Sequence, residues 1–78
     1  MAIEDRLRTV FVETLEIDED FDVENLKYRD IEAWDSVGHM ALVAAIEDEF
    51  GIELDTDQVI DLSSFKVALD LVTELTDA

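Results

Sequence analysis

The sequence contains no cysteine, no proline and only two glycines among its 78 residues. Without cysteine, the chain has no disulfide bond, no thiolate nucleophile and no cysteine ligand for a metal ion. The absence of proline and the scarcity of glycine favour helices, because these residues are the strongest interrupters of helical structure. Basic residues are also scarce. The chain has 22 acidic side chains against 5 lysines and arginines, which gives a formal net charge of −17.

The negative charge restricts the partners that the protein can bind. Nucleic acid and anionic membrane surfaces would be repelled, so we expect neither as a partner. Proteins with basic patches are favoured, and their association should be electrostatically steered and sensitive to salt. Charged residues occur within the first five positions, and no signal peptide or transmembrane segment is visible. We therefore expect a cytoplasmic protein and a monomer.

The same charge should limit the stability of the fold. A domain of this length buries only about 60–65% of the surface of its unfolded chain, and like charges crowd the surface that remains. We predict that the melting temperature rises when sodium chloride or magnesium chloride is added, because screening weakens the repulsion. Thermal melts followed by circular dichroism over a range of salt concentrations would test this. A melting temperature that does not respond to salt would show that repulsion is not what limits stability.

The spacing of apolar residues predicts an all-α fold. The first helix spans Ile3 to about Leu15, where apolar residues recur every three or four positions. A long connection over residues 17–33 follows, with a short helical turn near residues 23–26. Its apolar side chains are expected to anchor it on the bundle, namely Phe21, Leu26, Tyr28 and Ile31.

Capping residues define the remaining helices. Asp35 and Ser36 are both preferred N-cap residues, so the second helix is predicted from Ser36 to Phe50, and Gly51 fits a left-handed C-terminal cap. A short helix is capped by Asp55-Thr56-Asp57 and ends near Leu62, and the last helix is capped by Ser63 or Ser64. The prediction is a single domain, residues 1–78, folded as a four-helix bundle of three longer helices and one short helix, with a long loop between helices one and two.

The second helix is apolar on two sides. Four residues form an inward stripe in our interpretation, Leu42, Val43, Ile46 and Phe50. A second strip lies on another side and consists of Val37, Met40, Ala41 and Ala44. Since a surface helix needs only one apolar stripe, the second strip is either packed inside the domain or a contact surface. The helix ends in Glu47, Asp48 and Glu49, where its dipole disfavours acids, and this favours a basic partner.

Ser36 and His39 raise the question of catalysis, because they lie one turn apart on the same helix face. A serine at the start of a helix with a histidine three residues later does not have hydrolase geometry, and no oxyanion-binding site is evident. We therefore predict that the protein is not an enzyme, and we interpret His39 as a surface residue beside the serine. Trp34 is expected to be partly buried near the start of the helix.

Three aspartates alternate with other residues in the long connection, Asp18, Asp20 and Asp22. A calcium-binding EF-hand loop would require glycine at its sixth position and glutamate at its twelfth. Val23 and Arg29 occupy those positions, so we interpret the stretch as a solvated acidic loop. We predict no metal site here, and loose binding of divalent cations stays an open alternative.

The Asp35-Ser36 pair allows two interpretations. Taken alone, it is most simply a helix cap. It also places a hydroxyl at the positive end of a helix, where a phosphate ester would meet free backbone N–H groups and a favourable dipole. The domain is acidic, lacks a thiol of its own and offers this serine beside an apolar strip. Together these features favour a carrier, on which a prosthetic arm supplies the thiol and the acids dock basic enzymes.

These features resemble the acyl carrier proteins over nearly all of the chain. Asp35-Ser36-Val37 is similar to the Asp-Ser-Leu motif at the start of the family's second helix, with valine in place of leucine. Residues 47–52 resemble the acidic end of the family's recognition helix, and Ser63-Ser64-Phe65 resembles the start of its last helix. The resemblance implies that a phosphopantetheinyl transferase attaches 4′-phosphopantetheine from coenzyme A to Ser36. It also implies that the arm carries acyl groups as thioesters.

The resemblance further implies which residues meet partners and cargo. Acyl-transferring, condensing or acyl-activating enzymes with basic docking patches would contact Asp35, Val37, Met40, Glu47, Asp48, Glu53 and Asp57. The walls of an acyl pocket between the second and later helices would be Leu42, Ile46, Phe50, Leu54, Val59, Leu62 and Ala68.

The resemblance leaves the cargo open. Carriers of fatty-acid, polyketide and related biosynthesis share the motif. An aminoacyl or peptidyl carrier is an alternative, against which the charge of −17 argues because such carriers tend to be less acidic. Another alternative is an acidic helical interaction module without a prosthetic group, in which Ser36 is only a cap.

Overall fold

The computed structural model describes residues 3–76. Its α-helices are α1 (Ile3–Leu15), α2 (Ser36–Phe50), α3 (Thr56–Asp61) and α4 (Phe65–Thr76). A 3₁₀ turn, Val23–Asn25, lies in the connection between α1 and α2. No strand forms within the described residues, where Lys27 and Ser64 make an isolated bridge. The predicted all-α fold of three longer helices and one short helix is confirmed.

The core is centred on Phe11 of α1. Its ring packs edge to face against Trp34, with 5.4 Å between ring centroids, and against Phe65, with 5.0 Å. The other buried side chains include Leu7, Val10, Leu15, Val23, Leu26, Leu42, Val43, Ile46, Leu62, Ala68 and Val72. No residue of α3 is buried, so this helix lies on the outside of the domain.

Trp34 is fully buried, and the expectation that it would be only partly buried is wrong. Its indole Nε1–H donates a hydrogen bond to Nδ1 of His39 at 3.0 Å. Because this bond satisfies the one polar atom of the side chain, the whole indole can leave water. Trp34, which precedes the N-cap of α2, therefore supplies the largest of the fully buried side chains.

The connection between α1 and α2 is fastened to the segment between α3 and α4. Two backbone hydrogen bonds join them, from Tyr28 N–H to Ser63 C=O at 2.8 Å and from Phe65 N–H to Leu26 C=O at 3.0 Å. Of the four predicted anchors, Leu26 is buried, while Tyr28 and Ile31 are half-buried. The prediction is wrong for Phe21, which is 37% exposed.

Two arginines of α1 pair with acids of other elements. Arg6 Nε lies 3.0 Å from a carboxylate oxygen of Glu49 at the end of α2, and Arg8 pairs with Glu24 in the 3₁₀ turn. Both pairs are partly exposed, so each adds little to stability. Each of these two arginines therefore offsets an acid of the chain itself.

Candidate functional site

The N-terminus of α2 separates the capping residue from the serine. Asp35 is the N-cap, and its carboxylate accepts a hydrogen bond from the Gly38 N–H at 2.8 Å. Ser36 is the first helical residue and is exposed. The predicted start of the helix is confirmed. Because Asp35 caps it, the Ser36 hydroxyl is not needed for capping and faces solvent at the donor-rich end of α2.

The backbone before α2 turns tightly against the first turn of the helix. A Cβ atom added to Gly38 would lie 1.9 Å from the carbonyl oxygen of Ala33. Only a residue without a side chain lets this carbonyl approach so closely. Gly38 therefore fixes how the connection delivers Asp35 and Ser36 to the start of the helix.

His39 is half-buried and joins three parts of the fold, so its interpretation as a surface residue beside the serine is wrong. Its Nδ1 accepts the Trp34 indole N–H at 3.0 Å, and its Nε2 lies 2.9 Å from the carbonyl oxygen of Val59 in α3. An indole N–H only donates and a carbonyl only accepts, so His39 is the neutral tautomer with its proton on Nε2. The ring of Tyr28 packs edge to face against it, at 5.4 Å between centroids. These contacts hold the imidazole ring in a half-buried position.

The segment after α2 is held by a second side chain of that helix. A carboxylate oxygen of Glu47 accepts the Leu54 N–H at 2.8 Å. Asp55 and Gln58 then form a capping box at the start of α3, with hydrogen bonds of 2.8 and 3.0 Å. Gly51 closes α2 in the left-handed conformation, with φ of 64°, which confirms its predicted role.

This geometry changes the interpretation of the acids at the end of α2. Glu47 binds the Leu54 backbone and Glu49 binds Arg6, so the fold itself uses two of the three acids. The dipole argument for a basic partner therefore does not apply to Glu47, whose carboxylate has a role within the fold, while the partly exposed Glu49–Arg6 pair adds little to stability. Asp48, the third, is exposed.

Replacing Glu47 by alanine should lower the free energy of unfolding by about 1–2 kcal/mol, because the half-buried Leu54 N–H loses a charged acceptor. Urea denaturation followed by circular dichroism would measure this change. Glu47→Gln keeps an acceptor oxygen and should lie close to the wild type.

Asp48→Ala is the matched control for this prediction. It removes an exposed acid from the C-terminal end of a helix and should stabilise slightly, by about 0.3–1 kcal/mol. Equal effects of Glu47→Ala and Asp48→Ala would show that the Glu47–Leu54 bond contributes nothing.

The predicted partner-binding residues are all exposed except one, which makes a contact within the domain. Six of them are exposed, namely Asp35, Val37, Met40, Asp48, Glu53 and Asp57. The seventh, Glu47, is half-buried and bonded to Leu54. The second apolar strip of α2 is also exposed, with Val37 at 77% and Met40 at 58%, so it is not packed against any of the described residues 3–76. Sequence reasoning missed Ile60, which is 71% exposed on α3.

The predicted pocket residues lie mostly in packed structure. Leu42, Ile46, Leu62 and Ala68 are buried, and Phe50, Leu54 and Val59 are half-buried. A cavity of about 230 Å³ lies between α2 and α3, and its walls are Tyr28, His39, Val59, Ile60, Leu62 and Ser63. Only Val59 and Leu62 belong to both sets. Among the remaining walls, only Tyr28 and Ile60 carried a signal in the sequence, since they are apolar enough to be candidates for a cavity lining.

The described residues contain neither a cluster of metal ligands nor a membrane-spanning helix. Between residues 3 and 76, no group of three or more histidine, aspartate or glutamate side chains is arranged to hold a metal ion. Within the same residues, every helix is too short or too polar to cross a membrane.

Matches with known proteins cover this site. The family model described as the phosphopantetheine attachment site matches residues 5–72. The chain is 34% identical over 70 residues to an acyl carrier protein of Zymomonas mobilis, and this alignment covers 90% of each chain. With four helices and an exposed serine at the start of α2, the chain belongs to the acyl carrier protein family, whose members carry acyl groups on 4′-phosphopantetheine and are not enzymes.

Proposed function

We propose that Ser36 is the attachment point of the 4′-phosphopantetheine arm. The observation that carries this proposal is the division of roles at the start of α2, where Asp35 caps the helix and Ser36 stays exposed. Free N–H groups of the first helical turn and the positive end of the dipole fit a phosphate ester at this oxygen. When bound, the group supplies the thiol that the chain lacks. The protein then carries acyl intermediates as thioesters in fatty-acid, polyketide or related biosynthesis.

The exposed region around Ser36 fits enzymes with basic docking patches. Val37 and Met40 offer exposed apolar contact, while the exposed Asp48, Glu53 and Asp57 of α2, α3 and the segment between them offer charge. A charge of −17 should steer such partners and make their association sensitive to salt. We propose as partners a phosphopantetheinyl transferase and acyl-transferring, condensing or acyl-activating enzymes, met by a monomer in the cytoplasm.

Intact-mass spectrometry tests the attachment point. The protein is incubated with coenzyme A and a phosphopantetheinyl transferase of broad specificity. The wild type should gain one arm and Ser36→Ala none. Ser63→Ala is the matched control, since Ser63 is another exposed serine, and it should be loaded like the wild type. An unmodified wild type would instead support an acidic interaction module.

A panel of loading enzymes tests the cargo. The arm-bearing protein is offered to acyl-transferring enzymes and to amino-acid-adenylating enzymes, and thioester formation is read by mass. Loading by the acyl-transferring group alone supports the acyl carrier. Loading by adenylating enzymes alone would assign it to the aminoacyl or peptidyl carriers.

A further inference from the structure

Helix α3 is held to the domain through hydrogen bonds to its backbone as well as through side-chain packing. None of its six residues is buried, and its packing is confined to half-buried residues such as Val59 and to its buried C-cap, Leu62. Two side chains of α2 also bond the backbone of α3 and of the segment before it. Glu47 bonds the Leu54 N–H just before α3, and His39 bonds the Val59 carbonyl near its end.

The His39–Val59 bond satisfies a carbonyl that the helix itself leaves free. Val59 is among the last residues of α3, whose carbonyls have no intrahelical N–H partner. Moving α3 away from α2 would break this bond and leave both the Val59 carbonyl and the His39 Nε2–H to find new partners. The bond therefore favours the position of α3 seen in this structure, against α2, which we call the closed position.

The closed position leaves little internal space for a carried chain. Behind His39 lies Trp34, which is fully buried between Phe11 and Tyr28 at ring distances of 5.4 and 6.0 Å. Leu42 and Ile46 of α2, two of the predicted pocket walls, have no exposed surface at all. The cavity of about 230 Å³ has His39 in its wall. Two predicted walls, Val59 and Leu62, already line this cavity, but a chain would reach the fully buried Leu42 and Ile46 only if the packing between the helices opened.

We infer that His39 is a specificity-determining positioning residue, which keeps α3 closed on α2 and so restricts the carrier to short-chain acyl groups that remain outside the domain. This inference rests on the proposed function, because it concerns the cargo attached through Ser36. Each methylene that a chain buries adds favourable transfer free energy, so opening becomes favourable only above a certain chain length. Without the His39 hydrogen bonds, opening should become favourable at a shorter acyl chain length.

The test compares chain lengths within each protein variant. Wild type, His39→Leu and His39→Gln are first loaded on Ser36 with pantetheine arms that bear acetyl, hexanoyl or decanoyl groups through a stable amide, and loading is confirmed by intact mass. Melting temperatures are then recorded by circular dichroism. The melting temperatures with the three chains are compared within one variant. A general loss of stability in His39→Leu therefore does not affect the comparison.

The wild type should melt at the same temperature with all three chains. His39→Leu should gain several degrees from acetyl to decanoyl, because its cargo can enter and stabilise the domain. His39→Gln, which has an amide donor for the Val59 carbonyl, should lie nearer the wild type. A wild-type melting temperature that climbs with chain length as steeply as that of His39→Leu would overturn the inference, and so would a flat response in both.

The single tryptophan gives a second readout that a loss of stability alone would not move. The Trp34 Nε1–H proton is bonded to His39, so its nuclear magnetic resonance signal reports on this contact directly. In the wild type the signal should stay at one position for all three chains, and a progressive shift with chain length would overturn the inference even if His39→Leu failed to fold. A wild type that accepts no arm at all would overturn the proposed function as well, whereas normal loading with equal chain-length dependence overturns only the role of His39.

Discussion

Trp34→Ala should lower the free energy of unfolding by about 3–5 kcal/mol, the range observed when a large buried aromatic side chain is truncated. The indole has no exposed surface and contacts the rings of Phe11 and Tyr28. Its loss leaves a cavity under the start of α2 and removes the donor to His39 Nδ1. Since small domains have only about 5–15 kcal/mol of stability, much of the variant should be unfolded at low salt. Urea denaturation followed by far-ultraviolet circular dichroism would measure the loss without relying on tryptophan fluorescence.

Two variants make the Trp34 prediction specific. Trp34→Phe keeps most of the ring contacts and loses the N–H, so it should destabilise less than Trp34→Ala. Met40→Ala removes an exposed apolar side chain of α2 and should change stability by no more than about 0.5 kcal/mol. A Trp34→Ala variant as stable as Met40→Ala would contradict the central place of the indole in the core.

The helices could be predicted from the sequence because their signals are local. The Asp35 cap, the Gly51 C-cap and the cap in Asp55-Thr56-Asp57 are each defined by residues within a turn of one another, and the apolar spacing of α1 and α4 is read in the same way. Ser36, which we propose as the attachment point, was recognisable for the same reason, since an exposed hydroxyl at the first turn of α2 follows from where that helix begins.

Contacts between elements could not be read from such local patterns. His39 meets Val59, which lies 20 positions later, and that pairing depends on how the segment after Gly51 returns α3 to α2. Without it, His39 looked like a surface residue and Trp34 like a partly exposed one. The role of Glu47 was hidden for the same reason, because its partner is a backbone N–H with no sequence signature. Phe21 and Leu26 were equally apolar, and only the fold distinguishes the exposed one from the buried one.

Gly38→Ala should destabilise the protein by about 3 kcal/mol, toward the upper end of what overpacking costs. Helix propensity alone predicts the opposite sign, since alanine is favoured over glycine by about 1 kcal/mol inside a helix. The added Cβ would lie 1.9 Å from the oxygen and 3.1 Å from the carbon of the Ala33 carbonyl. These are backbone atoms, which cannot rotate away as the end of a flexible side chain would.

The clash could be relieved only by a shift of the backbone at Ala33, next to Trp34. The neighbouring backbone is held by hydrogen bonds from the Trp34 N–H to Ile31 and from the Arg29 N–H to Trp34, both of 3.2 Å. A shift there would disturb the buried indole and the cap that Asp35 places on the Gly38 N–H. We therefore expect the first turn of α2 to become less ordered in this variant, in addition to the loss of stability. Faster amide hydrogen exchange in that turn would detect the change.

Gly51→Ala is the matched control, because it makes the same chemical change where nothing lies within 4 Å of the new Cβ. Its φ of 64° should cost about 1 kcal/mol through backbone strain alone. Urea denaturation of both variants separates the two causes. If Gly38→Ala proved more stable than the wild type, helix propensity would outweigh the contact, and the close approach of the Ala33 carbonyl would not be what sets the position of Ser36.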